Sequence, residues 1–143
     1  MPATTRWPDL VFASDRRHAT LSEAAKAGRL RRIARGIYTP STDPVEAVVR
    51  RNWMQLLARA FPGAVIVDRS ARTGSPDGSG YLYVDHRRRR TLALPGLVIV
   101  PRSGPGPLPG DQALDGSYVS STARGLLDNL AGGGSRCLSR LEL

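Results

Sequence analysis

A chain of 143 residues with 41% apolar side chains can bury one core or two small ones, while its 15 Gly and 11 Pro commit much of it to turns. Its 21 Lys and Arg against 12 Asp and Glu give a formal charge of +9, and every basic residue except Lys26 is an arginine. The lone Cys137 excludes a disulfide framework or a thiolate metal cluster.

The charge excess favours a polyanionic partner, and arginine's rigid fork suits phosphate and guanine edges better than lysine does. GC-rich coding inflates arginine as well, so the placement of the arginines has to decide. The opening MPATTRWPDLVFASD carries an acid and two prolines where a secretory signal needs a basic start and an unbroken apolar run. No later stretch has the length to span a bilayer. The expectation is a cytoplasmic protein without a membrane partner.

In chain order, Trp7 and Leu10 to Ala13 read as a short helix or as an extended arm that docks on the elements after it. The stretch TLSEAAKAGRLRRIARGIY then predicts a helix capped by Thr20, with Glu23 completing a capping box and Gly28 ending it. Leu21, Ala24, Ala25 and Leu30 supply its apolar side. Ser22 and Lys26, four apart, supply an outer surface that Thr20 and Arg29 extend. Arg29, Arg31, Arg32 and Arg35 lead through a strand into a tight Arg35-Gly36 turn, the form of a helix followed by a wing.

Asp43 as cap, Pro44 at the first helical position and Glu46 in the first turn predict a second helix. Val45, Val48, Val49, Trp53, Leu56, Leu57 and Ala60 give it one apolar stripe, continuous to Pro62-Gly63, with Trp53 a core residue. Arg50, Arg51 and Arg59 fall off the stripe, facing solvent or phosphate. Strands are expected at AVIVD and YLYVD, then at TLAL and LVIVP as a hairpin closed by Pro95-Gly96. Ser70 to Gly74 reads as one helical turn. After the glycine-proline loop PRSGPGPLPGD come Gly116 to Val119 and a last helix capped by Ser121 or Thr122, with Ala123, Leu126, Leu127 and Leu130 inward. AGGGSRCLSRLEL reads as a linker ahead of a further segment.

Chemistry is sparse. His18 and His86 are too isolated for an imidazole metal site or a triad. Asp68 and Asp85 both end strands, as acids of a nuclease sheet would, yet the only lysine lies far away in the first helix. Asp68 as a cap or as a partner of Arg69 or Arg72 is the favoured reading, and no metal or cofactor is expected. No glycine loop ends in the Gly-Lys-Ser/Thr of a nucleotide site. Arg87, Arg88, Arg89 and Arg90 follow His86 at what reads as a hairpin tip. They are either solvated there, a phosphate clamp that widens the footprint of the wing, or a docking surface for an acidic protein.

Four stretches, LSEAAKAGRLRRIARGIYTP, DPVEAVVRRNWMQLLARAFPGAVIVDRSA, HRRRRTLALPGLVIVPRSGPGPLPGD and YVSSTARGLLDNL, resemble the AbiEi-family antitoxins of type IV toxin-antitoxin systems over about 20 to 135. The most specific pieces are the arginine-rich wing ending in Pro40, the valine strand closed by Asp68-Arg69-Ser70, and the helix start at Ser121 to Asp128. The resemblance implies an N-terminal winged helix-turn-helix ahead of an α/β domain. It also implies an antitoxin that binds and represses its own operator on double-stranded DNA and counters a nucleotidyltransferase-like toxin. Lys26, Arg29, Arg31, Arg32 and Arg35 take the role of the basic DNA-binding residues, joined on the residue reading by Thr20 and Ser22.

Only nineteen residues precede Thr20, short of the helix or two that normally come first, so the DNA-binding half is either degenerate or completed by a dimer partner. Similar modules are fused ahead of larger catalytic domains, including Fic-type AMP-transferring ones. The alternative function is therefore a protein-interaction module that controls a fused or neighbouring toxin or Fic-type enzyme. The expectation is an α+β, non-enzymatic chain. An abbreviated winged helix-turn-helix over 1–42 packs on a small mixed α/β domain over 43–131, ahead of a flexible tail over 132–143, with homodimerisation the default for operator binding.

Overall fold

The computed structural model describes residues 6–104 and 106–121. The expected last helix from Thr122, Cys137 and the glycine-rich tail lie outside them. The fold is α+β, with three helices and nine strands in two sheets among the described residues.

Strands β1 (Val11–Phe12), β2 (Arg31–Ala34) and β3 (Ile37–Thr39) form an antiparallel sheet in the order β1-β3-β2, with helix α1 (His18–Lys26) between β1 and β2. Of the two readings for the first residues, the extended arm is the one observed, and a 3₁₀ turn over Ala13–Asp15 joins it to α1. Helix α1 starts two residues before the expected cap. Arg17 is the N-cap without a side-chain bond, so Thr20 lies inside the first turn and caps nothing. Its far end is as expected: Gly28 has φ +75, its N–H bonds the Ala25 carbonyl, and the Arg29 N–H bonds that of Ala24. This is the paired closure of a Schellman end. Leu21 and Ala24 are buried, whereas Ala25 is exposed and leaves the apolar side narrower than expected.

The expected single helix is two, α2 (Val45–Arg51) and α3 (Trp53–Ala60). Asn52 separates them with φ −111 and ψ 20, and its amide donates to the Val48 carbonyl at 2.8 Å and to the Asp9 carboxylate. A side chain that competes for backbone acceptors in this way bends a helix that the apolar spacing alone would continue. Pro44, not Asp43, is the N-cap, and the Asp43 carboxylate turns to Arg51.

The second sheet is mixed, with the strand order β6-β7-β5-β4-β9-β8. Its members are β4 (Val65–Ile66), β5 (Tyr81–Asp85), β6 (Leu92–Leu94), β7 (Leu97–Arg102), β8 (Gln112–Leu114) and β9 (Ser117–Val119). The expected AVIVD strand shrinks to two residues because Asp68 turns to φ +54 and opens a 3₁₀ turn through Ala71, ahead of the turn expected from Ser70. The hairpin β6-β7 closes through Pro95 and Gly96 as expected. Strand β8, unforeseen, pairs with β9 across Asp115-Gly116, both at positive φ. That is the type I′ hairpin signature, and the dipeptide alone carried it.

Helices α2 and α3 lie in the middle. One apolar cluster joins Leu10 and Phe12 of the arm, Val48, Val49, Leu56 and Leu57 of the helices, and Ile66, Leu82, Val84, Leu97 and Ile99 of the second sheet. Trp53 packs against it, half-buried. The cluster thus runs unbroken across position 42. A smaller one, Val11, Leu21, Ala24 and Leu30, sits under α1. Among the described residues no helix is long and apolar enough to cross a membrane.

Two glycines fix the start of β5 and β7. A Cβ on Gly80, which has φ +84, would stand 2.2 Å from the Gly96 carbonyl oxygen, while one on Gly78 would meet nothing within 4 Å. Gly80→Ala is expected to destabilise the fold by at least about 2 kcal/mol, and Gly78→Ala to be neutral or stabilising by up to about 1 kcal/mol. Urea unfolding of the two variants checks the contrast, which fails if their midpoints agree.

Candidate nucleic-acid interface

The structure divides the arginines by what they face. Arg51 and Arg59 on the helices and Arg102 on β7 are committed to acids: Arg51 to Asp9 at 2.7 Å and Asp43 at 2.6 Å, Arg59 to Asp15, and Arg102 to Asp68 at 3.0 Å and Asp85 at 2.7 Å. Arg29, Arg31, Arg32 and Arg35 have no carboxylate partner among the described residues, and all four are exposed. Arg31 donates to the Asp43 carbonyl and Arg32 to that of Ala34 at 3.3 Å. These bonds hold each guanidinium in place and leave most of its five donors open.

Their placement follows from the sheet. Arg29 and Arg31 stand where α1 ends and β2 begins. Arg32 follows on β2, an edge strand that pairs only with β3. Arg35 sits at the turn, where Gly36 at φ +77 allows the reversal and its carbonyl accepts from the Ala13 N–H. That bond ties the turn to the start of the 3₁₀ turn that leads into α1. Arg16 and Arg17, which no motif singles out, are exposed at this end, with Arg16 lying 5.5 Å from the Trp7 ring centroid. Cations there oppose the helix dipole and raise the positive potential of that end.

Helix α1 offers less. Ser22, half-buried, and exposed Lys26 are one turn apart, but Thr20 lies about 200° round the helix from Ser22 at about 100° per residue, so the two do not share a face. Exposed Glu23 stands beside Lys26 and offsets its charge. The cationic surface belongs to the hairpin and the two ends of α1.

Arg51 ties this module to α2 by bridging the arm at Asp9 and the connector at Asp43, and Asn52 adds a second bond to Asp9. The Arg51 hydrogen bonds hold both carboxyls below the usual carboxylate range and raise the guanidinium.

The Arg87–Arg90 run is not a hairpin tip. Strands β5 and β6 are separated by β7, and the run belongs to the segment that crosses between them. His86 is buried, edge-on to Phe61 at 5.4 Å. Its Nε2 donates to the Pro62 carbonyl at 3.0 Å while Nδ1 accepts from the Arg88 N–H at 3.0 Å. The Arg88 guanidinium donates to the Ala60 carbonyl at 2.7 Å, capping the negative end of α3. All four arginines of the run are exposed.

Asp68 and Asp85 do converge, on the Arg102 guanidinium. Both are buried, and β7 supplies this shared partner. Gly104 lets the chain pass here, since a Cβ on it would fall 2.5 Å from the Asp85 carboxylate. No group of three or more His, Cys, Asp or Glu able to hold a metal occurs among the described residues.

No family model, curated protein or solved structure matches the chain.

Because the pairing with Arg51 lowers the Asp9 and Asp43 pKa from 3.8, the folded state binds fewer protons than the unfolded state in that range. The stability these pairs contribute is present above pH 3.8 and disappears as pH falls through the folded-state values. Arg51→Met is expected to flatten the loss of stability on acidification below about pH 4, measured as urea midpoints at stepped pH. An unchanged acid limb would contradict it.

Proposed function

We propose that the chain is a non-enzymatic, DNA-binding transcriptional regulator of the antitoxin type, which represses its own operon through operator DNA and counters a nucleotidyltransferase-like toxin. The observation that carries the DNA reading is the split between arginines paired with carboxylates and arginines that are not. Setting a guanidinium against a carboxylate serves the fold, whereas exposed guanidiniums close together in sequence without acids repel each other and gain most from a polyanion.

The arrangement supports a wing. A helix leads directly into a two-stranded hairpin whose turn carries Arg35, and β1 closes the sheet beside β3. Arg29, Arg31, Arg32 and Arg35 contact phosphates. Ser22 and Lys26 reach from α1 to backbone or base edges, and Thr20 lies off that surface. Only α1 precedes the hairpin among the described residues, so a homodimer, placing two such modules on two half-sites, supplies the remaining contact. The toxin, the repression and the cytoplasmic location rest on the resemblance to AbiEi-family antitoxins and on the sequence, and no cofactor enters the reading.

One observation favours a second reading, a module that controls a fused or neighbouring toxin or Fic-type enzyme. On the sheet face away from α2 and α3, Tyr81 is 40% exposed and stacks on Tyr83 at 6.4 Å beside half-buried Val98 and Val100. Partner binding there would be insensitive to competitor DNA.

Fluorescence anisotropy against the duplex upstream of the gene tests the first reading. Arg32→Ala is expected to weaken binding across sequences and to reduce the slope of log affinity against log salt by about 0.9, the share of a single phosphate. Wild-type chain that ignores duplex even in dilute salt would rule the reading out.

A further inference from the structure

We infer that the Arg87–Arg90 run and the wing turn at Arg35 form one phosphate-contacting surface, so that duplex held by the wing is also gripped by the six-stranded sheet. The inference rests on the proposed DNA binding and extends it to a second part of the chain.

The topology brings the two together. To reach β6 from β5 the chain must pass the end of β7, which places the run at that end of the sheet. His86 and Arg88 then pin it to the last turn of α3 through the Pro62 and Ala60 carbonyls. Ala60 also lines a surface groove, bounded from the N-terminal module by Phe12, Arg35 and Gly36 and from the remainder by Arg59, Ala60 and Leu92. The run therefore touches one groove residue, Ala60, through Arg88 and leads along the chain into another, Leu92, two positions after Arg90. Arg35 stands on the same groove from the wing.

The charges differ across this surface. Arg59, between the two, is neutralised by Asp15 and lies 4.3 Å from the Phe12 ring centroid. Arg88 is held by Ala60. That leaves Arg35, Arg87, Arg89 and Arg90 as cations without a carboxylate partner among the described residues. Anchoring Arg88 and His86 fixes the backbone of the run, so its neighbours are presented with less entropy to lose on binding.

A polyanion fits better than an acidic protein. A stable protein interface centres on a buried apolar anchor, and the exposed large apolar side chains among the described residues, Met54, Tyr81 and Leu108, all lie outside this groove. A duplex backbone needs only spaced cations along a rigid edge.

The test is a salt titration of duplex binding by the full chain, read by anisotropy, with three variants. The first replaces Arg87→Ala, Arg89→Ala and Arg90→Ala together and leaves Arg88 to cap α3. The second makes the same three positions lysine, and the third is Arg32→Ala on the wing. The alanine triple is expected to lower the log–log salt slope by about two to three units at about 0.9 per phosphate, with an unchanged urea midpoint, and the lysine triple to keep most of the slope. If the alanine triple keeps wild-type slope and affinity while Arg32→Ala loses both, the inference fails and the wing reading stands. Should that same triple instead lose binding to poly-glutamate, the run belongs to an acidic protein. If wild type binds no duplex, both fall.

Discussion

Helices α2 and α3 must bury apolar groups on two sides at once. Val48, Val49, Leu56 and Leu57 are essentially inaccessible because the arm at Leu10 and Phe12 covers one flank and the second sheet, through Ile66, Leu82, Val84 and Ile99, covers the other. The small first sheet and its nine-residue helix bury only a minor core of their own, Val11, Leu21, Ala24 and Leu30, too small to stand alone. It borrows the larger one. The first sheet is therefore positioned by the layer it leans on.

Charge follows the same division. Twelve acids cannot satisfy 21 bases, so the fold places carboxylates where a guanidinium ties elements together: arm to helix at Arg51, arm turn to α3 at Arg59, β7 to β5 and the turn after β4 at Arg102. The Arg102 site shows why that matters, since two buried carboxylates without a cation would repel and be costly to desolvate. Much of the unmatched positive charge is left on the hairpin and on the segment after β5.

Much of the architecture was legible because it is encoded locally. Gly28 ends α1, Pro95-Gly96 closes a hairpin, and YLYVD forms the strand its β-rich composition suggests. What escaped depends on distant partners. Nothing in the apolar spacing around Asn52 warns of a break, because its side chain is held between the Val48 carbonyl and Asp9, far away in sequence. Asp43 fails to cap because Arg51 draws its carboxylate away. The arginine run looked like a hairpin tip because sequence neighbours are the first guess for sheet neighbours, and β7, a later strand, takes the place between them. Strand β8 was readable from Asp115-Gly116 and was hidden by the prolines before it. Of the candidate site, the basic cluster was visible as a composition. Its separation from the paired arginines was not, since that is fixed by which acids fold against them.

The close approach of Gly80 to Gly96, with Gly96 in turn against the backbone of Glu46, has a consequence for how this scaffold can diversify. Three chain segments meet there with no side chain between the two turns, so neither turn can lengthen or change residue without parting the others. The opposite rim of the sheet, where β5 and β7 end, is fastened differently, by Arg102 between Asp68 and Asp85 and by Gly104 lying close against Asp85. A scaffold fastened at both ends of these strands has its room for change between them, on the outer face at Tyr81, Val98 and Val100.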